Sequence, residues 1–285
     1  MTNENLTKSV LITGCSSGIG LTLAKGLAAR GWQVFAGARQ AEDAARLTTA
    51  GLTGLVLDLR NSASIQAAVA EVLEHTGGTL DALCNNAGYG QPGAVEDLSR
   101  EILREQFETN LFGAHELTTL VLPVMRRQQQ GRIVYLSSLL GYVALPYRGA
   151  YNASKYALEG LVDTLRLELR GTGIHVSLIE PGPIRSRFRA NAYAAFKRNI
   201  NAIGSVHAAQ YVAMERRFTA EGPVSPFTRG PEAVRAKVVH ALESARPRAH
   251  YPVTFPAYLF AVLRRLLPVQ VLDRILWEVG ESERR

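Results

Sequence analysis

The stretch Thr13-Gly14-Cys15-Ser16-Ser17-Gly18-Ile19-Gly20 restricts what this chain can fold into more than any other. It closes a short apolar run, Ser9–Thr13, and opens a helical pattern over 18–30, with Leu21, Ala24, Leu27 and Ala28 on one face and Gly31 as its stop. Glycines at 14, 18 and 20 let the main chain turn tightly and approach a pyrophosphate, which then rests on the helix N-terminus. Between the first strand and first helix of a βαβ unit, such a turn predicts a dinucleotide site. Gly14, Ser16, Ser17, Gly18, Ile19 and Gly20 are therefore expected against a cofactor. The same residues also fit Gly-x-Ser-x-Gly, the hydrolase nucleophile elbow. That elbow needs an upstream strand and loop for its oxyanion hole, and the stretch ahead of Ser16 is too short to supply them.

The pattern after this turn repeats. Apolar runs at Trp32–Ala36, Leu55–Leu57, Ala82–Cys84, Ile133–Leu136 and His175–Ile179, with a last one near 250–254, alternate with helical periodicity. Asn61 or Ser62 can cap a helix with the stripe Ile65, Ala68, Val69, Val72 and Leu73. A long helical stretch spans about 100–127 and is expected to bend near Pro123. A further helix holds Tyr151 and runs to about 170, and another covers 231–244. Strands apolar throughout, each followed by a helix, predict an α/β fold: a three-layer, doubly wound parallel sheet of Rossmann type. No linker divides 285 residues of ordinary globular composition, 47% hydrophobic and 20% charged. A single domain over 1–254 is expected, with 255–285 as an amphipathic extension packing on it.

Composition excludes several function classes. The net charge is +7, but the arginines are scattered and no basic run interleaves with aromatics, which argues against nucleic acid. The histidines show no metal spacing, and no metal is expected. Two cysteines, a polar N-terminus and no unbroken apolar span lead to the expectation of a cytoplasmic protein.

The second strand refines the cofactor. A Rossmann unit places an acid at its end to hold the adenosine ribose. Here Ala38 stands at that point and Arg39 follows. The missing carboxylate removes repulsion against a 2′-phosphate, and a guanidinium supplies a partner for it, so NADP(H) is expected over NAD. Asp58, with Leu59 after it, follows the third strand and is placed to meet the adenine.

Tyr151 and Lys155 lie one helical turn apart in Tyr-Asn-Ala-Ser-Lys. Hydride transfer to a carbonyl leaves an alkoxide that needs a proton, and a phenol beside an ammonium can exchange one near neutrality. Ser138, at the end of the fifth strand, can hold the substrate oxygen. Its neighbour Ser137 should point the other way.

Taken in order, TGCSSGIG, Asn85-Asn86-Ala87-Gly88, Asn110, Ser138, Tyr151-x-x-x-Lys155 and Pro181-Gly182 resemble the short-chain dehydrogenase/reductase family over residues 8 to about 250. The resemblance implies a catalytic set of Asn110, Ser138, Tyr151 and Lys155, with Asn110 supporting a water path to Lys155. It places Asn86, Ala87 and Gly88 along the cofactor's ribose and nicotinamide side, with Tyr151 and Lys155 also touching it. Pro181, Gly182 and Ile184 follow the sixth strand and meet the carboxamide. The family often has Thr where this chain has Ser186, which keeps the hydroxyl. Dimers or tetramers built on the long helices are implied as well.

Residues 185–230 carry Gly222, Pro223 and Pro226 among frequent aromatics and are expected to form a lid over an apolar substrate pocket. The extension has three readings: it covers its own domain or an oligomer interface, it lies on an anionic membrane surface, or it is loosely ordered. With this extension the chain resembles bacterial NADP-dependent aldehyde reductases of the YbbO type and, more distantly, retinol and hydroxysteroid dehydrogenases. That resemblance implies NADPH-dependent reduction of small apolar aldehydes and ketones, reversible to the alcohol. A dinucleotide-binding regulator without turnover is the alternative from another class, and it would show a broken catalytic set where this one is whole.

Overall fold

The computed structural model describes residues 7–220, 222 and 226–282; Pro223 lies outside them. Seven parallel strands form one sheet in the order β3-β2-β1-β4-β5-β6-β7. They are β1 (Ser9–Ile12), β2 (Gln33–Ala38), β3 (Thr53–Val56), β4 (Ala82–Asn85), β5 (Gly131–Leu136), β6 (Ile174–Pro181) and β7 (His250–Val253). Each expected apolar run is a strand, displaced by at most a few residues.

Both faces of the sheet are covered, because alternate side chains of each strand point to opposite layers. Leu11 and Phe35 face a core built with α3 (Ser62–His75), α5 (Gly113–Gln128) and α6 (Gly149–Glu168). Val10, Ile12, Val34 and Ala36 face the other, with α1 (Gly18–Ala28), α2 (Ala41–Thr49) and α9 (Pro231–Glu243). Asn61 caps α3 by accepting from the amides of Ala63 and Ser64. α2 has no counterpart in the sequence pattern, since only Ala44 and Leu47 of its nine residues are buried.

α5 (Gly113–Gln128) is not broken at Pro123, and the irregular turn lies upstream, where a π-helical turn at Glu108–Phe112 separates α4 (Arg100–Phe107) from α5. The π turn holds the buried Asn110.

Residues 185–230 fold into two helices, α7 (Phe188–Asn199) and α8 (Ala208–Thr219). They have a small core of their own: Phe196, Tyr211, Met214 and Phe218 pack with Ala94, Leu98 and Ala150. The extension forms α10 (Phe255–Leu266) and α11 (Val269–Ser282), divided at Pro268 as the sequence suggests. Phe260 and Leu276 pack on Leu140, Tyr142, Val143 and Tyr151, so the extension rests on the domain that precedes it.

Candidate active site

Strand order reverses between β1 and β4, and the crevice at the carboxyl ends of these strands is where such sheets bind ligands. The glycine turn lies there. Gly14 and Gly18 hold φ of +71° and +58°, left-handed values that glycine adopts freely. A Cβ on Gly20 would lie 2.2 Å from the Gly14 carbonyl oxygen, so any side chain would push the turn open. Thr13, which the sequence reading passed over, ties this turn to the end of β4: its Oγ1 accepts from the amides of Asn86 and Ala87 at 3.0 and 2.9 Å. Asn86 Nδ2 in turn donates to the carbonyls of Thr13 and Gly14 at 2.7 and 3.2 Å. Ser17 caps α1 without a side-chain hydrogen bond, and the first turn of α1 holds no acid. Uncapped amides, no negative charge and no Cβ in the way suit a phosphate.

The catalytic candidates converge from β5 and α6. Ser138, two residues after β5, accepts from the Leu140 amide at 3.1 Å and so starts a 3-10 turn at Leu139–Gly141. Its hydroxyl donates to the Pro181 carbonyl at 3.5 Å. Burial pushes the Tyr151 phenol up to about 12, partly opposed by Ser138 and by the charge of Arg148. Lys155 Nζ donates to the Leu136 carbonyl at 2.6 Å and lies 5.8 Å from the Tyr151 ring centre. Burial draws its ammonium down to about 8, and Glu159, one turn further on, works against that. The expected lowering of the Tyr151 phenol by Lys155 is therefore not what the protein alone shows: desolvation outweighs the neighbouring charges.

Asn110 uses its amide on neighbours. Its Oδ1 accepts from the Tyr89 amide at 3.1 Å, and its Nδ2 donates to the Tyr89 carbonyl and to Ser154 Oγ, both at 3.0 Å. Ser154 donates to the Tyr151 carbonyl at 2.8 Å, so Asn110 joins the loop after β4 to the catalytic helix.

A cavity of about 610 Å³ opens above these groups. Of the expected residues, Ile19, Asn86, Gly88, Ser138, Tyr151, Lys155, Pro181, Gly182, Ile184 and Ser186 line it. Gly14, Ser16, Ser17, Gly18, Gly20 and Ala87 lie in or against the glycine turn, outside that lining. Ser186 closes over the turn, since a Cβ on Gly18 would lie 3.2 Å from the Ser186 Cβ. Beyond β2, Arg39 is exposed, and its charge helps to hold Asp58 ionised. Asp58 is also paired with Arg60 at 3.3 Å, and the Leu59 side chain belongs to the core. The lid helices complete the wall with Phe188, Arg189, Ala192, Arg217 and Phe218.

The profile of the short chain dehydrogenase family matches residues 8–196. The uncharacterized oxidoreductase YbbO of Escherichia coli is 45% identical over 276 residues, covering 97% of this chain and 96% of that one. The chain belongs to the short-chain dehydrogenase family. Human retinol dehydrogenase 8 is 41% identical over 197 residues, 66% of this chain and 62% of its own. A short-chain dehydrogenase/reductase of Burkholderia phymatum, solved in complex with NAD, superposes with a TM-score of 0.74 at 26% identity, covering 93% of this chain and 94% of that one. This short-chain dehydrogenase is thus a nucleotide-binding oxidoreductase with a Rossmann-type sheet.

Folding also reveals site features of this short-chain dehydrogenase that spacing could not. Phe188 sets its ring edge-on to Tyr151, with centres 5.3 Å apart, across 37 positions of sequence. Arg148, just ahead of α6, lines the cavity. Glu159, Glu180 and His250 meet behind Lys155 and place potential ligand atoms within 4.8 Å of one another. His250 faces the carboxylates of Glu180 at 2.6 Å and Asp163 at 3.1 Å through its two ring nitrogens, so both must carry hydrogen. The imidazolium offsets part of the negative charge of Glu159, Glu180 and Asp163, and burial beside Glu180 pushes the Glu159 carboxyl up to about 7. Ser137 Oγ lies near Glu159, since a Cβ on Gly141 would meet Ser137 Oγ at 2.8 Å and Glu159 Cγ at 2.9 Å, and Ser137 lines the same cavity as Ser138.

Proposed function

We propose that this chain reduces aldehydes and ketones to alcohols with NADPH, reversibly, in the cytoplasm. The observation that carries the reading is that Ser138, Tyr151 and Lys155 line one cavity, walled by Leu139, Leu140, Leu145, Phe188 and Phe218, where burial favours the protonated phenol of Tyr151. Such walls suit an apolar substrate, and the volume suits a small to medium one.

When bound, the dinucleotide supplies the hydride. Ser138 holds the carbonyl oxygen by hydrogen bond, and Tyr151 passes its hydroxyl proton to that oxygen as charge develops on it. Lys155, fixed to the Leu136 carbonyl, keeps a positive charge near the phenolate left behind. Asn110 holds the loop and helix in register, leaving the main chain of its π turn to carry the water path toward Lys155. Arg39, with no carboxylate at Ala38, supports a 2′-phosphate. The likeness to retinol dehydrogenase 8 and to bovine 17-beta-hydroxysteroid dehydrogenase type 6 favours retinoid or steroid alcohols as a second reading of the same chemistry.

The test follows nucleotide absorbance with purified protein, NADPH beside NADH, and a panel of short aldehydes, ketones, retinal and ketosteroids. The expected result is turnover of apolar carbonyls with NADPH preferred, the preference weakening in Arg39→Ala. Equal use of NADH would contradict the role of Arg39. Absence of turnover with every carbonyl would contradict the reaction.

A further inference from the structure

We propose that the outer face of α10 docks on an anionic lipid bilayer, with the helix lying in the plane of the surface. Among the described residues the face is an unpartnered apolar stripe. Phe255, Tyr258, Leu259, Val262 and Leu266 recur at helical spacing and are 37% to 73% exposed. The stripe continues onto Val269 and Val271 at the start of α11, both exposed, and the Phe227 ring lies tilted beside Phe255 with ring centres 5.0 Å apart. Soluble surfaces rarely leave so many large apolar side chains contiguous.

The helix cannot roll to hide this face. Ala257 and Phe260 are buried on its opposite side, and Tyr142 donates to the Ala257 carbonyl at 2.7 Å. The apolar stripe and the buried contacts are therefore both satisfied only if something covers the outside.

Charge selects the occupant. From Thr254 to Leu272 the chain has no aspartate or glutamate, while Arg265 sits exposed at the end of α10; Arg264 lies over the Tyr156 ring on the other side of the helix, 5.5 Å from its centre. Lys237 of α9 adds a cation 5.9 Å from the Tyr258 ring. An apolar helix face with aromatics at one end and cations at its rim fits acyl chains flanked by anionic headgroups. A second copy meeting this face isologously would bring the same acid-free stripe against those cations, with no counter-charge from 254–272. No described helix is long and apolar enough to cross a membrane, so the contact is peripheral. This surface lies on the outside of the helix that backs the Tyr151 wall, and the proposal does not rest on which carbonyl is reduced.

Vesicle co-sedimentation tests it with the full chain. The protein is expected to pellet with phosphatidylcholine vesicles containing phosphatidylglycerol and to pellet poorly with phosphatidylcholine alone. Leu259→Glu with Val262→Glu, both on the exposed face, should abolish binding while leaving the thermal melt and the nucleotide affinity unchanged. Lys237→Gln with Arg265→Gln should weaken binding to anionic vesicles roughly thirtyfold. Should the glutamate pair disturb the melt, Tyr258→Ser with Leu266→Ser replaces it. Protein that stays in the supernatant with anionic vesicles overturns the proposal, as does pelleting unaffected by a folded stripe variant. A dimer in sedimentation equilibrium that the glutamate pair dissociates, with no vesicle binding, would assign the face to a second copy instead.

Discussion

Tyr151 and Lys155 share one helix face, and burial pushes both toward their neutral forms. The phenol rises to about 12 and the ammonium falls to about 8. A protonated Tyr151 is poised as an acid, the role that reduction needs. Lys155 is the group that titrates in a working range. Below about 8 it is charged; above, the charge that would settle a phenolate and meet the cofactor's ribose is lost. The pH profile of kcat/KM for NADPH, which reports groups of the free enzyme, should therefore fall as pH rises through about 8. Lys155→Met should flatten that limb while lowering the plateau. A limb unchanged in Lys155→Met would assign it to another group. The same depressed ammonium bears on stability: between about 8 and its ordinary value near 10.5 the unfolded chain binds more protons, so this residue makes stability rise with pH there.

At the scale of the element, the glycine turn is a place where one atom decides. A Cβ at position 20 would sit 2.2 Å from the Gly14 carbonyl oxygen and 2.6 Å from Asn86 Nδ2. Gly20→Ala should cost about 1–3 kcal/mol in stability through forced repacking and weaken NADPH binding. Thermal melts with and without nucleotide measure both; a variant that melts and binds like the parent would contradict a tight turn. The turn, the strands and the Tyr151 helix were legible in the sequence because each writes its period and punctuation into consecutive residues. α2 was not, because Ala44 and Leu47 alone face the core. The π turn was not, because Pro123 looked like the obvious breaker while the real break serves the bond from Asn110 to Ser154, 44 positions away. Contacts such as Phe188 on Tyr151 depend on how α7 crosses the sheet edge, which no local pattern encodes.

Over the whole molecule, the extension and the catalytic helix form one packed unit. Phe260 of α10 and Leu276 of α11 share a cluster with Leu140 and Tyr151, so the cavity wall is backed by residues more than a hundred positions from it. Phe260→Ala should destabilise the fold by roughly 3 kcal/mol, in the range for emptying a buried aromatic site, and raise KM for bulky carbonyls while sparing nucleotide affinity. Denaturant melts and substrate kinetics on one preparation would show it; an unchanged melt would mean the extension is not part of the packed unit. The central claim, that Tyr151 is the proton donor of a carbonyl reductase, is tested most directly by comparing the parent with Tyr151→Phe. NADPH binding by fluorescence and single-turnover NADPH oxidation with an apolar aldehyde would be followed on each. The account predicts that binding survives and that the oxidation step slows by about a hundredfold or more. Oxidation at the parental rate in Tyr151→Phe would contradict it.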